Sequence, residues 1–140
     1  NLLVSIAKDA ITKEYPGTSA QKKFCELEAK DLWDKSCDFC TRNKCPTAVV
    51  NQGDAWAPNF LIRITETGEL ETLLLDFQLA RVASPITDLS FFIYSCTNKD
   101  LREEHFDNLL KYYHDEISKT IESLGSDSKK VYSWDLFMKE

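Results

Sequence analysis

An aspartate at position 54, an asparagine five residues later at 59 and a second aspartate at 76 are the residues of this chain best suited to chemistry. Asp54 lies in the run Asn51-Gln52-Gly53-Asp54-Ala55-Trp56-Ala57-Pro58-Asn59, and Asp76 in Leu75-Asp76-Phe77-Gln78. Phosphoryl transfer to a hydroxyl needs a carboxylate that orients the acceptor and takes its proton. It also needs two hard oxygen ligands to hold Mg²⁺ against the phosphates. Asp54 suits the first role, and Asn59 and Asp76 suit the second. Taken singly, each is more commonly a turn former or a helix cap. Their order, their spacing and the hairpin between them carry the reading.

The hairpin is what must bring Asn59 and Asp76 together. Phe60-Leu61-Ile62-Arg63-Ile64 and Thr72-Leu73-Leu74-Leu75-Asp76-Phe77 are β-rich runs separated by a polar turn, Thr65 to Glu71. With a tight turn centred on Thr67-Gly68, Asn59 faces Asp76 across the ladder. Ala48-Val49-Val50 is a short strand leading into the Asp54 loop. Helical patterns flank this middle third. The first helix runs to about Lys13, followed by a turn at Tyr15-Pro16-Gly17-Thr18. A longer helix then starts near Ser19, with Phe24, Leu27, Ala29 to Leu32 and Trp33 as its apolar stripe. The polar stretch Cys37 to Cys45 ends at Pro46. After Ser84-Pro85-Ile86-Thr87 an apolar helix begins near Asp88, its Phe91, Phe92 and Tyr94 read as core. Asp100 and Glu103 resemble a capping box for the next helix. Its apolar positions run from Phe106 through Leu109, Leu110, Tyr113, Ile117 and Ile121 to Leu124, and Gly125 closes it. Ser133 to Glu140 reads as a further helix start. The expected class is α+β, mostly helical, with one loop and one hairpin holding the site.

Composition narrows the function. The 140 residues hold 17 basic and 23 acidic side chains, a formal charge of −6, and 43% are hydrophobic. That is a globular chain, with a length that suits one core or a piece of a larger one. Its acidity argues against a nucleic-acid binder, and no apolar run approaches the roughly 18 residues of a membrane span. Gly17, Gly53, Gly68 and Gly125 lie too far apart for a glycine-rich phosphate loop. The chain opens at Asn1 directly in an amphipathic pattern and stops in a helix start, so it is expected to be a fragment cut at both ends. Five cysteines and no secretory signal point to reduced thiols and a cytoplasmic setting. Cys37, Cys40 and Cys45 have a partly zinc-like spacing, but a fourth ligand is not in place, and His105 and His114 are nine positions apart. Cys25 and Cys96 read as core residues. Trp56 either stacks on substrate or packs beneath the loop.

The ordered motifs resemble a known family. Val49-Val50-Asn51-Gln52-Gly53-Asp54-Ala55-Trp56-Ala57-Pro58-Asn59-Phe60 is similar to the insect ecdysteroid-kinase-like family. So is the run from Leu75-Asp76-Phe77-Gln78 through Arg81 and Ser84-Pro85-Ile86-Thr87 to Asp88-Leu89. The similarity continues through Phe91-Phe92-Ile93-Tyr94-Ser95 and Leu110-Lys111-Tyr112-Tyr113 to Leu124-Gly125. This family stands in the choline-kinase and aminoglycoside-phosphotransferase group of small-molecule kinases. The resemblance implies a two-lobed protein-kinase-like fold, of which this chain is most of the C-terminal lobe. The nucleotide-covering loop and the phosphate-binding lysine then belong to an N-terminal lobe. Lys8 and Lys22 have no strand context to supply that lysine. The resemblance further implies ATP and Mg²⁺ as cofactors and an alcohol as acceptor, ecdysteroids being the namesake. It makes Asp54 the catalytic base and Asn59 and Asp76 the ligands of Mg²⁺ and so of its nucleotide. Asp88 becomes the brace of the catalytic loop, a role open beside that of a simple helix N-cap.

One position departs from the family pattern. Gln52 stands where the family has a histidine that anchors the loop, and glutamine can both donate and accept in its place. Two other readings remain: an inactive relative that binds a small molecule, and a helical interaction module whose motif match is accidental. The 140 residues alone are expected to be inactive.

Overall fold

A strand of three residues leads into the Asp54 loop. β1 (Val49–Asn51) ends at that loop and pairs antiparallel with a strand 30 residues further on, Val49 opposite Ala83 and Asn51 opposite Arg81. Between them, β2 (Phe60–Ile64) and β3 (Leu70–Leu74) form the hairpin, and the partner of β1 is β4 (Arg81–Ala83). Asn51 is 4% exposed and locks the first pairing. Its Nδ2 donates to the Ala83 carbonyl at 2.9 Å and to that of Val49 at 3.1 Å. These elements belong to the computed structural model, which describes residues 2–40 and 45–140. Residues 41–44, within the polar stretch before Pro46, lie outside the described residues.

The hairpin register differs by one residue from the expected one. Phe60 pairs with Leu74 and Ile64 with Leu70. The connection is not a two-residue turn. Gly68 N–H donates to the Thr65 carbonyl at 3.0 Å, Thr65 N–H to that of Glu69 at 2.8 Å, and Gly68 sits at φ +83°. That is a type I turn closed by a glycine bulge, and its extra residue shifts every pair. Asn59 therefore meets Leu75, whose N–H donates to the Asn59 carbonyl at 2.8 Å. Asp76 is one residue past that contact.

Helices complete the unit of residues 42–140. Two single turns of 3₁₀ helix, Ala57–Asn59 and Phe77–Leu79, flank the hairpin. Of the helices in this unit, the first covers Ile86–Cys96 and the second Lys99–Ser123, with short turns at Ser128–Val131 and Trp134–Phe137. The first begins two residues before Asp88. Pro85, with no side-chain cap, occupies its N-cap. The second is capped by Asn98, whose side chain accepts from Leu101 N–H at 2.9 Å, and not by an Asp100–Glu103 box. Gly125 closes it as expected: Gly125 N–H donates to the Glu122 carbonyl and Ser126 N–H to that of Ile121.

The core is small: Ala55, Ala83, Ile93, Tyr132 and Phe137 are buried. Phe91, Phe92 and Tyr94, expected inside, lie at 43%, 38% and 63% exposure, because the helix turns Ile93 inward instead. Phe92 still meets Phe60 edge-on at 5.2 Å, and Arg102 lies over the Tyr94 ring. Tyr113, His114, Tyr132, Trp134 and Phe137 form the aromatic centre. Beyond the β1–β4 pairing, Glu140 accepts hydrogen bonds from Thr47, Ser84, Tyr132 and Cys45.

Residues 1–41 form a separate helical unit. Numbered along the whole chain, α1 is Leu2–Glu14, α2 Ser19–Cys25 and α3 Ala29–Cys40, so Ile86–Cys96, Lys99–Ser123, Ser128–Val131 and Trp134–Phe137 are α4 to α7. The long helix expected from Ser19 is thus two helices. Leu27 N–H turns back to the Phe24 carbonyl and ends α2, while Leu32 N–H takes the Glu28 carbonyl to start α3. Glu26, Glu28 and Asp31 oppose the dipole at a helix C-terminus and suit it at an N-terminus, which favours the break. None of α1, α2 and α3 buries a residue. With two antiparallel sheets among the described residues, the chain is α+β and mostly helical.

Candidate active site

Gly53 sets how closely the Asp54 loop can approach the segment after the hairpin. It has φ +89°, and a Cβ there would lie 2.1 Å from the Leu79 carbonyl oxygen. Only glycine permits both the conformation and the contact. Asp88, in the first turn of α4, holds the same stretch from the other side. Its Oδ2 accepts from Gln52 N–H at 2.7 Å and its Oδ1 from Gly53 N–H at 3.0 Å. One carboxylate thus anchors two successive amides, a strong arrangement for a charged acceptor. The cap position open to Asp88 in the sequence is filled by Pro85 instead.

Gln52 is 4% exposed and uses its whole side-chain amide. Nε2 donates to the carbonyls of Leu75 at 2.7 Å and Asp76 at 2.8 Å, and Oε1 accepts from Asp54 N–H at 2.6 Å. Asp76 is the one non-glycine residue with positive φ among the described residues, at φ 57° and ψ 67°. That left-handed turn explains why β3 stops at Leu74 and does not run on to Phe77. A non-glycine residue held there carries about 1–2 kcal/mol of strain. Such strain persists only where neighbours impose it.

The three sequence candidates sit on adjoining segments. Asn59 Nδ2 donates to the Asp54 backbone carbonyl at 2.9 Å and to its Oδ2 at 3.2 Å. That orientation leaves Asn59 Oδ1 as the oxygen it can offer to a cation. The exposed Asp76 carboxylate accepts from Gln78 Nε2 through Oδ2 at 3.1 Å. Asn59 and Asp76 are joined through the Leu75 N–H bond to the Asn59 carbonyl. An amide oxygen and a carboxylate are hard donors of the kind Mg²⁺ takes, so the chemistry of the pair suits it. Chemically, the arrangement could supply a carboxylate for proton transfer and two oxygens for a cation.

Several contacts were not visible in the sequence. Cys96 is half-buried at the end of α4, not in the core, and its Sγ accepts from Ala57 N–H at 3.1 Å within the loop between Asp54 and Asn59. Gly53 offered a signal, as one of only four glycines, directly before Asp54. The bond of Cys96 to the Ala57 amide and that of Gln78 to the Asp76 carboxylate had none. Trp56 is 41% exposed, so it is not packed beneath the loop. Among the described residues no three or more His, Cys, Asp or Glu side chains gather as a metal cluster, and no disulfide joins the cysteines. Near the site, burial raises the pKa of Tyr113, and the charge of Asp88 adds to that. No helix of the described residues is long and apolar enough to cross a membrane.

A sequence profile of the ecdysteroid kinase-like family matches residues 2–126. No curated protein and no solved structure matches the chain.

Proposed function

The chain belongs to the ecdysteroid kinase-like family, and from that premise we propose that it forms the C-terminal lobe of an ATP- and Mg²⁺-dependent phosphotransferase acting on an alcohol. The family is kinase-like, which makes phosphoryl transfer the parent chemistry. A match over residues 2–126 favours a family motif over an accidental one. The observation that carries the proposal is the single constellation of Asp54, Asn59 and Asp76, with Asn59 hydrogen-bonded to Asp54 and bonded through Leu75 to the segment of Asp76.

In this reading Asp54 would orient the acceptor hydroxyl and take its proton as the oxygen bonds to the terminal phosphorus of ATP and ADP leaves. Asn59 Oδ1 and the Asp76 carboxylate would hold Mg²⁺, which would draw in the nucleotide phosphates. Bound there, the cation neutralises charge that builds on the transferring phosphoryl group. Gln52 and Asp88 keep the loop in place by the five hydrogen bonds described above. The three bonds of Gln52 favour an active protein over an inactive binder, because the support that a histidine gives the family is present in another form. A glycine-rich phosphate loop does not occur in these residues, and Lys8 and Lys22 lie on α1 and α2. The nucleotide's phosphates would therefore be covered by another lobe. Both strands of the β2–β3 hairpin leave apolar side chains open, Leu61, Ile62, Leu70 and Leu73 among them, as a lobe boundary would.

The acceptor proposed is an alcohol of the steroid class, after the family's namesake. The test is Mg²⁺-dependent ATP consumption by the intact protein across steroid and small alcohols. Asp54→Asn should lower kcat about 10²–10⁴-fold, the range of a general base, and Asp76→Asn should abolish the Mg²⁺-dependent turnover. Equal turnover in wild type and both variants would sink the assignment.

A further inference from the structure

We infer that Gln52 is the residue that holds Asp76 in its left-handed conformation and so aims the carboxylate assigned above to the cation; the inference rests on that assignment. In an extended strand successive carbonyls point to opposite sides, whereas a helical conformation of either hand turns them the same way. With Asp76 at φ 57° and ψ 67°, the carbonyls of Leu75 and Asp76 both reach one donor, Gln52 Nε2, at 2.7 and 2.8 Å. The double bond and the left-handed turn are two sides of one geometry.

The other end of the same side chain is equally committed. Oε1 accepts from Asp54 N–H at 2.6 Å, so Gln52 joins the backbone of the proposed base to that of the proposed metal ligand. Its own main chain is fixed by Asp88 at 2.7 Å, and the residue is 4% exposed. This work needs two N–H groups on one nitrogen and an acceptor beside them, which a primary amide alone supplies. Histidine offers one N–H per nitrogen, and glutamate offers none. Gln52 is therefore a positioning residue whose identity matters, not a neutral filler of the loop.

The test compares the intact protein with Gln52→Glu, Gln52→Ala and Gln78→Ala by thermal melting, crystal structure and Mn²⁺ titration with nucleotide present. Gln52→Glu keeps the shape and the acceptor but sets a carboxylate oxygen against two carbonyls. Gln52→Ala removes the donors without adding charge, and carries the test should the glutamate variant not fold. Both Gln52 variants should melt cooperatively, show Asp76 relaxed to negative φ, and bind Mn²⁺ about 10–100-fold more weakly, the usual effect of losing a support behind a metal ligand. Gln78→Ala, which touches only the exposed carboxylate, should leave Asp76 at positive φ. Retention of positive φ at Asp76 in both Gln52 variants would overturn the inference, as would unchanged Mn²⁺ affinity. If the wild type binds no Mn²⁺ with nucleotide, the phosphotransferase reading fails, and the Asp76 conformation in the variants still decides the role of Gln52.

Discussion

Replacing Gly53 with alanine should damage the site far more than the same change at Gly68, although both glycines have positive φ. At Gly68 (φ +83°) an added Cβ meets nothing within 4 Å, so the variant carries only the conformational penalty, about 1–2 kcal/mol. At Gly53 the Cβ would stand 2.1 Å from the Leu79 oxygen, 2.6 Å from the Leu79 carbonyl carbon and 3.1 Å from Arg81 Nη1. Carbon and oxygen ordinarily approach to about 3.3 Å, so the overlap exceeds about 1 Å. It falls on backbone, which cannot swing aside as a side chain can. Relief requires the loop and the 77–80 segment to part. That strains the Gly53 N–H bond to Asp88 at 3.0 Å and the Gln52 bonds to Leu75 and Asp76. Overpacking of this kind adds about 1–3 kcal/mol to the conformational term.

The assay is urea unfolding of the intact protein with Gly53→Ala and Gly68→Ala side by side, together with nucleotide-supported Mn²⁺ binding. The expected gap is about 1–3 kcal/mol between the two variants, with cation binding lost in the first and kept in the second. Equal destabilisation with cation binding intact in both would refute the close approach of Gly53 to Leu79.

Asp88→Asn replaces one of two acceptor oxygens with a donor, leaving the Gln52 or the Gly53 amide without its partner. The cost should be about 1–3 kcal/mol in denaturant unfolding, the range for a lost hydrogen bond to a charged group. It should come with greater amide hydrogen exchange at residues 52–54. Glu140 gives an acid response. Burial works against its charge, but hydrogen bonds from Ser84, Thr47, Cys45 and Tyr132 outweigh it and hold the carboxyl below its ordinary value of 4.5. Its contribution to stability is therefore present above that value and is lost as pH falls through the lower folded pKa. Glu140→Gln should flatten the melting temperature across that acid range. Tyr132 gives the alkaline counterpart: burial first, then Glu140, raises its pKa above the ordinary 10.0. The folded state keeps the phenol proton, so this contribution is complete below pH 10 and fades as pH rises beyond it, an effect that Tyr132→Phe should remove.

Where a side chain's own chemistry matters, the sequence was readable. Asp54, Asn59 and Asp76 stand out by type and spacing, and the helix around Phe106 to Leu124 by its period, with Gly125 as its end. The hairpin was legible as two β-rich runs, but its register was not, because the bulge at Gly68 depends on which backbone groups pair in the turn. The β1–β4 pairing escaped notice for a similar reason. Three-residue strands are too short for a period, and Asn51, which locks them, does so by bonding to carbonyls that every residue carries.

The family resemblance picked out Gln52 and Asp88 as the support of the site, but the groups they bond to were not legible, for the same reason. Asp88 binds amides, Gln52 binds an amide and two carbonyls, and Cys96 binds an amide, so none of their partners is marked by residue type. The helix period even misled at Phe91, Phe92 and Tyr94, where an apolar run suggested core and only Ile93 is buried. Asp76 shows the consequence most sharply. Thr72 and Phe77 favour an extended strand and bracket an apolar run, so the local pattern alone would carry β3 through Asp76. A left-handed residue there runs against that propensity, so its cause must come from elsewhere in the chain. The group whose donors meet both carbonyls is the amide of Gln52, 24 residues from Asp76. A site built this way is distributed: the groups that perform the chemistry can be picked out one at a time, while the geometry that makes them act together exists only once β1 and the end of the hairpin have met.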